Sequence, residues 1–216
     1  MDIIYLGHSS FKITGKNASV VTDPFDPKMV GLKLPKTSAD IVTLSHDHED
    51  HNFVEGISDV HKVIQGPGEY EVREISMIGI PSFHDQTKGS ERGKNTIFVF
   101  ELEGFRVVHL GDLGHTLDEA TIEAIGDTDV LFVPCGGKYT LNAEEALAVT
   151  RAISPKIVIP MHYKADGLND ETFAELQTVE SFVEALGQTP ERMKKYSIKA
   201  GTVITDELKL IILDRA

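Results

Sequence analysis

Ser45-His46-Asp47-His48-Glu49-Asp50-His51 sets three histidines and three carboxylates within seven residues. Packing alone does not call for that density. Imidazole and carboxylate are ligands for Zn²⁺, Mn²⁺ and Fe²⁺. The residues just before, Ala39-Asp40-Ile41-Val42-Thr43-Leu44, read as a buried strand. The ligands therefore leave the strand's carboxyl end on a turn, where active sites of layered α/β proteins tend to lie. On extended backbone, residues i and i+2 project to the same side. His46 and His48 can grip one ion, while Asp50 and His51, past the bend, face a second. A solvated acidic loop is the alternative; it suits a lone histidine or an isolated H-x-H better than H-x-H-x-D-H.

Outward from this stretch, further histidines and carboxylates follow strand ends. Strands are expected at 75–80, 105–110 and 156–160, running toward His84, Asp112 and His162. The chain opens with short β-rich runs at 3–6, 11–13 and 19–22, read as an antiparallel meander that Asp23-Pro24 breaks. The stretch 25–36 carries Pro27, Gly31 and Pro35 and reads as a loop, a flap over the site. A strand at 60–64 carries His61 among apolar neighbours, expected exposed and no ligand; another strand is expected at 70–72. The loop 85–95, with Lys88, Glu91, Arg92 and Lys94, is solvated and a candidate substrate-contacting segment beside His84. A hairpin joins 96–102 to 105–110, with His109 a satisfied core histidine and His115 a candidate proton-transfer group.

Helices are expected at 117–125, at 143–153 behind an Asn142 cap, and at 172–186, where Phe173, Leu176, Val179 and Val183 form an apolar stripe that Gly187 ends. A strand is expected at 129–134, and the closing segments 196–198, 202–204 and 208–213 read as strands. Cys135 has no evident base and reads as a buried structural thiol. Lys138, Tyr139 and Thr140 are possible substrate contacts.

A chain of 216 residues suits one sizeable domain, and 41% hydrophobic with 25% charged residues is ordinary for a globular protein. The formal charge of −13 disfavours nucleic acid and anionic membranes as partners, while a locally basic pocket stays open. No run approaches the ~20 apolar residues of a membrane helix. The start, Met1-Asp2-Ile3-Ile4, lacks a basic region and apolar core of secretory type, and the single Cys135 fits a reducing compartment. The protein is expected to be cytoplasmic.

His46-Asp47-His48-Glu49-Asp50-His51 matches the H-x-H-x-D-H signature of the metallo-β-lactamase-fold superfamily. His84, Asp112 and His162 match its later metal motifs in order, and the resemblance covers nearly the whole chain. The chain resembles most its compact stand-alone hydrolases, which include ascorbate-6-phosphate lactonase-like proteins. Supporting matches are Gly7-His8-Ser9, Asp23-Pro24, Gly66-Pro67-Gly68-Glu69-Tyr70, and Gly136-Gly137 before Tyr139-Thr140. The resemblance implies an α+β fold, a four-layer αββα sandwich formed by a single domain over 1–216. It implies a first ion held by His46, His48 and His84, a second by Asp50, His51 and His162, and Asp112 bridging them. The ions would be two divalent metals, zinc first, with manganese or iron as alternatives. Five neutral imidazoles and two carboxylates would leave a net +2, enough to lower the pKa of a bridging water to give hydroxide. Asp50 and Asp112 are then the catalytic carboxylates, Asp50 orienting the water or accepting its proton. By the resemblance His8 lies near the metals, with a structural hydrogen-bonding role equally open. The leaving-group acid is left among His115, Lys138 and Tyr163.

Fifty residues separate Asp112 from His162, too few for the inserted domain of the nucleic-acid-cleaving branch. The segment after His162 lacks the larger helical extension of glyoxalase II-like thioesterases. The expectation is hydrolysis of a small-molecule ester, lactone or phosphoester; homo-oligomers are possible. The alternatives are a diiron redox protein, which would usually carry a carboxylate at His48 and need a flavin partner, and a non-enzymatic metal-dependent binding protein.

Overall fold

Short β-branched runs punctuated by turns build the first part of the chain. In the computed structural model, which describes residues 1–205 and 207–216, they are β1 (Asp2–Gly7), β2 (Ser10–Thr14) and β3 (Ser19–Thr22). The one-turn helix α1 (Pro27–Val30) follows, then β4 (Thr37–Ser38), β5 (Ile41–Leu44), β6 (Ile57–Ser58) and β7 (Lys62–Gln65). A meander of longer strands comes next: β8 (Gly68–Val72), β9 (Ile75–Phe83), β10 (Lys94–Leu102) and β11 (Phe105–His109). Helices and strands then alternate through α2 (Glu119–Ile125), β12 (Val130–Pro134), α3 (Ala143–Ile153) and β13 (Ile157–Met161). The last elements are α4 (Asp170–Phe173), α5 (Val179–Leu186), β14 (Glu191–Met193), β15 (Tyr196–Ser197) and β16 (Lys209–Leu213).

Two sheets result, ordered β15-β1-β2-β3-β5-β7 and β14-β16-β13-β12-β11-β10-β9-β8, with β4-β6 as a small separate pair. Their apolar faces meet in one core: Ile3, Phe11, Ile13, Val20 and Ile41 from the first sheet bury against Phe98, Phe100, Val107 and Phe132 from the second. Phe11 and Phe132 stack across the seam with ring centroids 4.0 Å apart. Each such buried side chain stabilises by about 1.5–3 kcal/mol over its exposed state, so the seam is held firmly before any polar group is counted.

Helices α2, α3 and α5 cover the outer face of the second sheet. Helix α3 buries Ala146, Leu147, Val149 and Ile153, and starts in a reciprocal cap between Asn142 and Glu145. On the outer face of the first sheet, Leu6, Val21, Val42 and Leu44 are covered by Ala39 and Ile57, with Leu34, Val54 and Val60 at the edge. The layer there is a loop with a 3₁₀ turn (Val54–Gly56) and the β4-β6 pair. Among the described residues no helix is long and apolar enough to cross a membrane.

Three expectations about local structure are corrected. The helix expected at 172–186 is split into α4 and α5, because the backbone between them bonds elsewhere. Gln177 N–H donates to Gly136 O at 2.8 Å, and Lys164 N–H donates to Gln177 O at 2.8 Å. The strand expected at 202–204 does not form; Val203 is 90% exposed and has no sheet face to bury against. The loop 25–36 contains α1, which Asp26 caps through Lys28 N–H and Gly31 ends at φ 86°.

Candidate metal centre

Topology gathers the functional groups on one edge of the sandwich. β1, β3 and β5 run in one direction within the first sheet, and β9, β11 and β13 share one within the second. His8 follows β1, Asp23 follows β3 and the His46–His51 stretch follows β5. His84, Asp112 and His162 follow β9, β11 and β13. Six strand ends thus converge, and all seven residues singled out as ligands come together there.

Asp112 is their centre. Its Oδ2 lies 3.2 Å from Nε2 of each of His51, His84 and His162, and 4.0 Å from Nε2 of His46. The potential ligand atoms of His46, His48 and His84 lie within 4.8 Å of one another, and so do those of His8, Asp50, His51 and His162. His48 is exposed on the cavity side, while His46, Asp50, His51, His84, Asp112 and His162 are buried. Within the 45–51 stretch, Asp47 and Glu49 are exposed at the cavity, and Asp47 accepts from Asn52 Nδ2 at 2.7 Å.

The donor set fits divalent cations on a specific observation. Nε2 of His46, His51 and His162 and Oδ1 of Asp112 are buried without a hydrogen-bond partner among the described residues. Interiors rarely leave so many polar atoms unsatisfied together. Cations would satisfy them, since each is an unshared electron pair facing the others.

A surrounding layer fixes their orientation. Asp23 accepts from Ser45 N–H at 2.7 Å, from Ser45 Oγ–H at 2.5 Å and from His51 Nδ1–H at 3.0 Å. A carboxylate only accepts, so the proton of His51 sits on Nδ1 and Nε2 is free. Ser45 Oγ, having donated to Asp23, accepts from His46 Nδ1–H at 2.9 Å, which frees the Nε2 of His46 in the same way. On the other sheet, Asn95 Oδ1 accepts from Asp112 N–H at 3.0 Å, and its amide donates to Leu110 O and Ser82 Oγ. His109 donates from Nε2 to Ser9 O and accepts from Gly111 N–H at Nδ1, the satisfied core role expected of it.

Two glycines make these approaches possible. A Cβ on Gly111 would lie 2.3 Å from Asn95 Oδ1, and one on Gly136 would lie 2.0 Å from His162 O. His8, Asp23 and His162 adopt positive φ of 55°, 41° and 52° despite their side chains. Such backbone clusters at functional sites, where the surroundings over-determine it. Here His8 O accepts from both His162 N–H (2.9 Å) and Tyr5 OH (2.8 Å).

The electrostatics suit cation capture. Burial pushes His46 down to about 3 and His8 down to about 4, so both are neutral at pH 7. Burial alone would raise Asp112, but His162 and His51 hold its carboxyl well below the usual range. Asp50 is likewise depressed against its burial, chiefly by His51. His51 goes up in spite of burial, because Asp112 and Asp50 both face it. Metal binding requires ionised carboxylates and neutral imidazoles; Asp50, Asp112, His8 and His46 are in that state, while His51, whose proton the two carboxylates favour, would release it to an entering cation.

Some residues behave otherwise than the sequence suggested. His115 accepts from Phe83 N–H and donates to Thr116 O, so both ring nitrogens are spent away from the cluster. Tyr163 is buried beside Tyr5, and Lys138 pairs with Glu175 at 2.7 Å. Cys135, by contrast, is the buried thiol the sequence suggested, and burial pushes it up. His8 joins the second ligand group, with Nε2 3.1 Å from Asp50 Oδ2. Asp23, Ser45 and Asn95 were missed as positioning groups. The signal for Asp23 was there: it too is a carboxylate just past a strand end. A cavity of about 450 Å³ opens over the cluster, lined by His48, Asp50, His84 and Asp112, with Met29 of α1 and Phe173 of α4 as its apolar wall.

Comparison with known proteins places this geometry. A family model described as "Beta-lactamase superfamily domain" matches residues 2–162. A metal-dependent hydrolase of Thermoplasma acidophilum is 28% identical over 190 residues, covering 76% of this chain and 83% of the relative. The crystal structure of a candidate Zn-dependent hydrolase of the metallo-β-lactamase superfamily from Thermotoga maritima superposes with a TM-score of 0.79 at 37% identity, over 98% of this chain and 97% of that one. A candidate metal-dependent hydrolase from Parabacteroides distasonis shares the fold at 20% identity and a TM-score of 0.69, over 99% and 93% of the two chains. The chain belongs to the metallo-β-lactamase superfamily and stands among its metal-dependent hydrolases.

Proposed function

We propose that the chain is a binuclear hydrolase of small-molecule esters, lactones or phosphoesters, acting as a single domain in the cytoplasm. The observation that carries this reading is the convergence of two imidazole-rich groups on one carboxylate oxygen, Asp112 Oδ2. His46, His48 and His84 would hold one ion, Asp50, His51 and His162 the other, and Asp112 would serve both. Zinc suits this set best, with manganese or iron as alternatives. Two such ions supply the acidity that makes water nucleophilic near neutral pH and the positive charge that stabilises a developing oxyanion.

The chain's own groups do the rest. Asp50 Oδ2, 3.1 Å from His8 Nε2, is the candidate to orient water and take its proton, with His8 steadying the carboxylate. Met29 and Phe173 form an apolar wall that limits water beside the reacting bond. A cavity of about 450 Å³ admits a small molecule, and a net charge of −13 argues against nucleic acid as substrate. The test is metal content per chain by inductively coupled plasma mass spectrometry, alongside hydrolysis of a panel of lactones, esters and phosphodiesters. About two zinc or manganese ions in the parent, lost together with turnover in His48→Ala and Asp112→Ala, are expected. No bound metal after reconstitution, or iron without turnover of any panel member, would overturn the reading.

A further inference from the structure

The cavity over the metal centre is not closed on its far side. A second cavity of about 370 Å³ adjoins it, and the two share His84, Arg92 and Tyr139. Arg92 therefore stands where they meet. Its guanidinium carbon lies 5.8 Å from the centroid of the Tyr139 ring, and no carboxylate pairs with it among the described residues. Neighbouring charges are engaged elsewhere: Lys138 holds Glu175 at 2.7 Å, Glu145 accepts from Gln86 at 2.8 Å, and Glu91 accepts from Thr87 Oγ1 at 3.3 Å. Glu49, which lines the metal-side cavity, makes no ion pair with Arg92. In a chain with thirteen more acidic than basic residues, an arginine left without an anion at a cavity junction is out of keeping with the charge balance.

The surrounding backbone is built to keep it there. Asp85, buried just after His84, accepts from the N–H groups of Thr87, Gly89, Glu91 and Arg92 at 2.7–3.0 Å and from Thr87 Oγ1–H. The segment between His84 and Arg92 is thus wound around one carboxylate. Tyr139, against which the guanidinium rests, is itself pinned by its OH donating to Thr172 O at 2.8 Å. A guanidinium so held loses little side-chain freedom on meeting a ligand, and its planar fork matches carboxylate and phosphate.

We propose that Arg92 determines specificity by binding an oxyanion, carboxylate or phosphate, carried on the substrate away from the bond that is cleaved. The anion sits at the junction of the two cavities while the scissile ester faces the metal cluster. This rests on the hydrolase reading above and narrows it to anionic small molecules.

Three matched probes test it with metal-loaded protein: dimethyl adipate (neutral), monomethyl adipate (a remote carboxylate) and the phosphate monoester of methyl 5-hydroxypentanoate (a remote phosphate). Turnover and calorimetric binding are measured for the parent, Arg92→Gln and Arg92→Lys, each with its metal content checked. The expected result is a preference for one or both anionic probes over the neutral one that falls about ten-fold or more in Arg92→Gln, through KM, and about three-fold or less in Arg92→Lys. Which anionic probe responds distinguishes carboxylate from phosphate. An unchanged preference in Arg92→Gln, or an equal loss on all three probes, would overturn the proposal while leaving the hydrolase reading intact. If the parent hydrolyses none of them, calorimetry decides: anion binding that Arg92→Gln abolishes keeps the anion site and counts against the hydrolase, and binding indifferent to the substitution overturns the site.

Discussion

Asp23 shows how much one residue outside the ligand set can control. Its two oxygens fix Ser45 and His51 directly, and His46 through Ser45, so two imidazoles from one strand end owe their tautomer to it. Asp23→Asn replaces an acceptor with a donor at one of those oxygens. Metal affinity is expected to fall by about 10–100-fold while the far-ultraviolet circular dichroism stays the same; competition against a chromogenic chelator measures it, and unaltered affinity would remove Asp23 from the site. His46, His48, Asp50 and His51 stood out in the sequence because their spacing is local, and His84, Asp112 and His162 through the family motifs they match; the fold brings all seven together. The position of Asp23 past a strand end was visible too, but its role was not, because the partner that gives it meaning is 22 residues away on a parallel strand. The indifference of His115 was equally hidden, since the backbone groups that occupy it become neighbours only in the fold.

At the scale of elements, β-branched runs ending in ligands were legible and their lengths were not. β9 extends to Phe83 and β10 begins at Lys94, because pairing between them continues past the apolar residues to the edge of the site. The split between α4 and α5 was invisible to periodicity, since the apolar stripe continues through residues whose backbone is bonded to loops. The parallel pair β3-β5 carries both Asp23 and the His46–His51 stretch, and its open end is tied by Asp40. Asp40 Oδ2 accepts from Ser19 N–H at 2.8 Å and Ser19 Oγ–H at 3.0 Å, while Oδ1 meets Arg73. Burial raises the Asp40 carboxyl, but the Ser19 donors and Arg73 outweigh it and bring it below 3.8. A carboxyl depressed on folding stabilises above its unfolded value, and that contribution is lost as pH falls through the folded one. Asp40→Asn is therefore expected to cost about 1 kcal/mol in urea denaturation at pH 7, with the gap to the parent shrinking below about pH 4. A gap that held constant down to pH 2.5 would contradict this.

For the molecule as a whole, the metal cluster straddles the seam. His46, His48, Asp50 and His51 come from one sheet and His84, Asp112 and His162 from the other. Ions that bind only when both sheets are docked stabilise the folded state by about 4 kcal/mol at a thousand-fold excess over their dissociation constant. At this chain length that corresponds to roughly 10 °C in melting temperature. Scanning calorimetry before and after chelation should show a drop of that order, restored by adding zinc or manganese. A melting temperature indifferent to chelator would mean the cluster does not bridge the sheets with metal.

Strand order also has a consequence for how the protein is made. β13, which delivers His162, is flanked by β12 on one side and by β16, residues Lys209–Leu213, on the other. On the ribosome the histidines at 46, 48 and 51 emerge long before that flank exists. The strand that carries His162 is therefore closed on one edge only by residues 209–213, so the complete candidate site depends on pairing with a segment far along the chain from every residue in it.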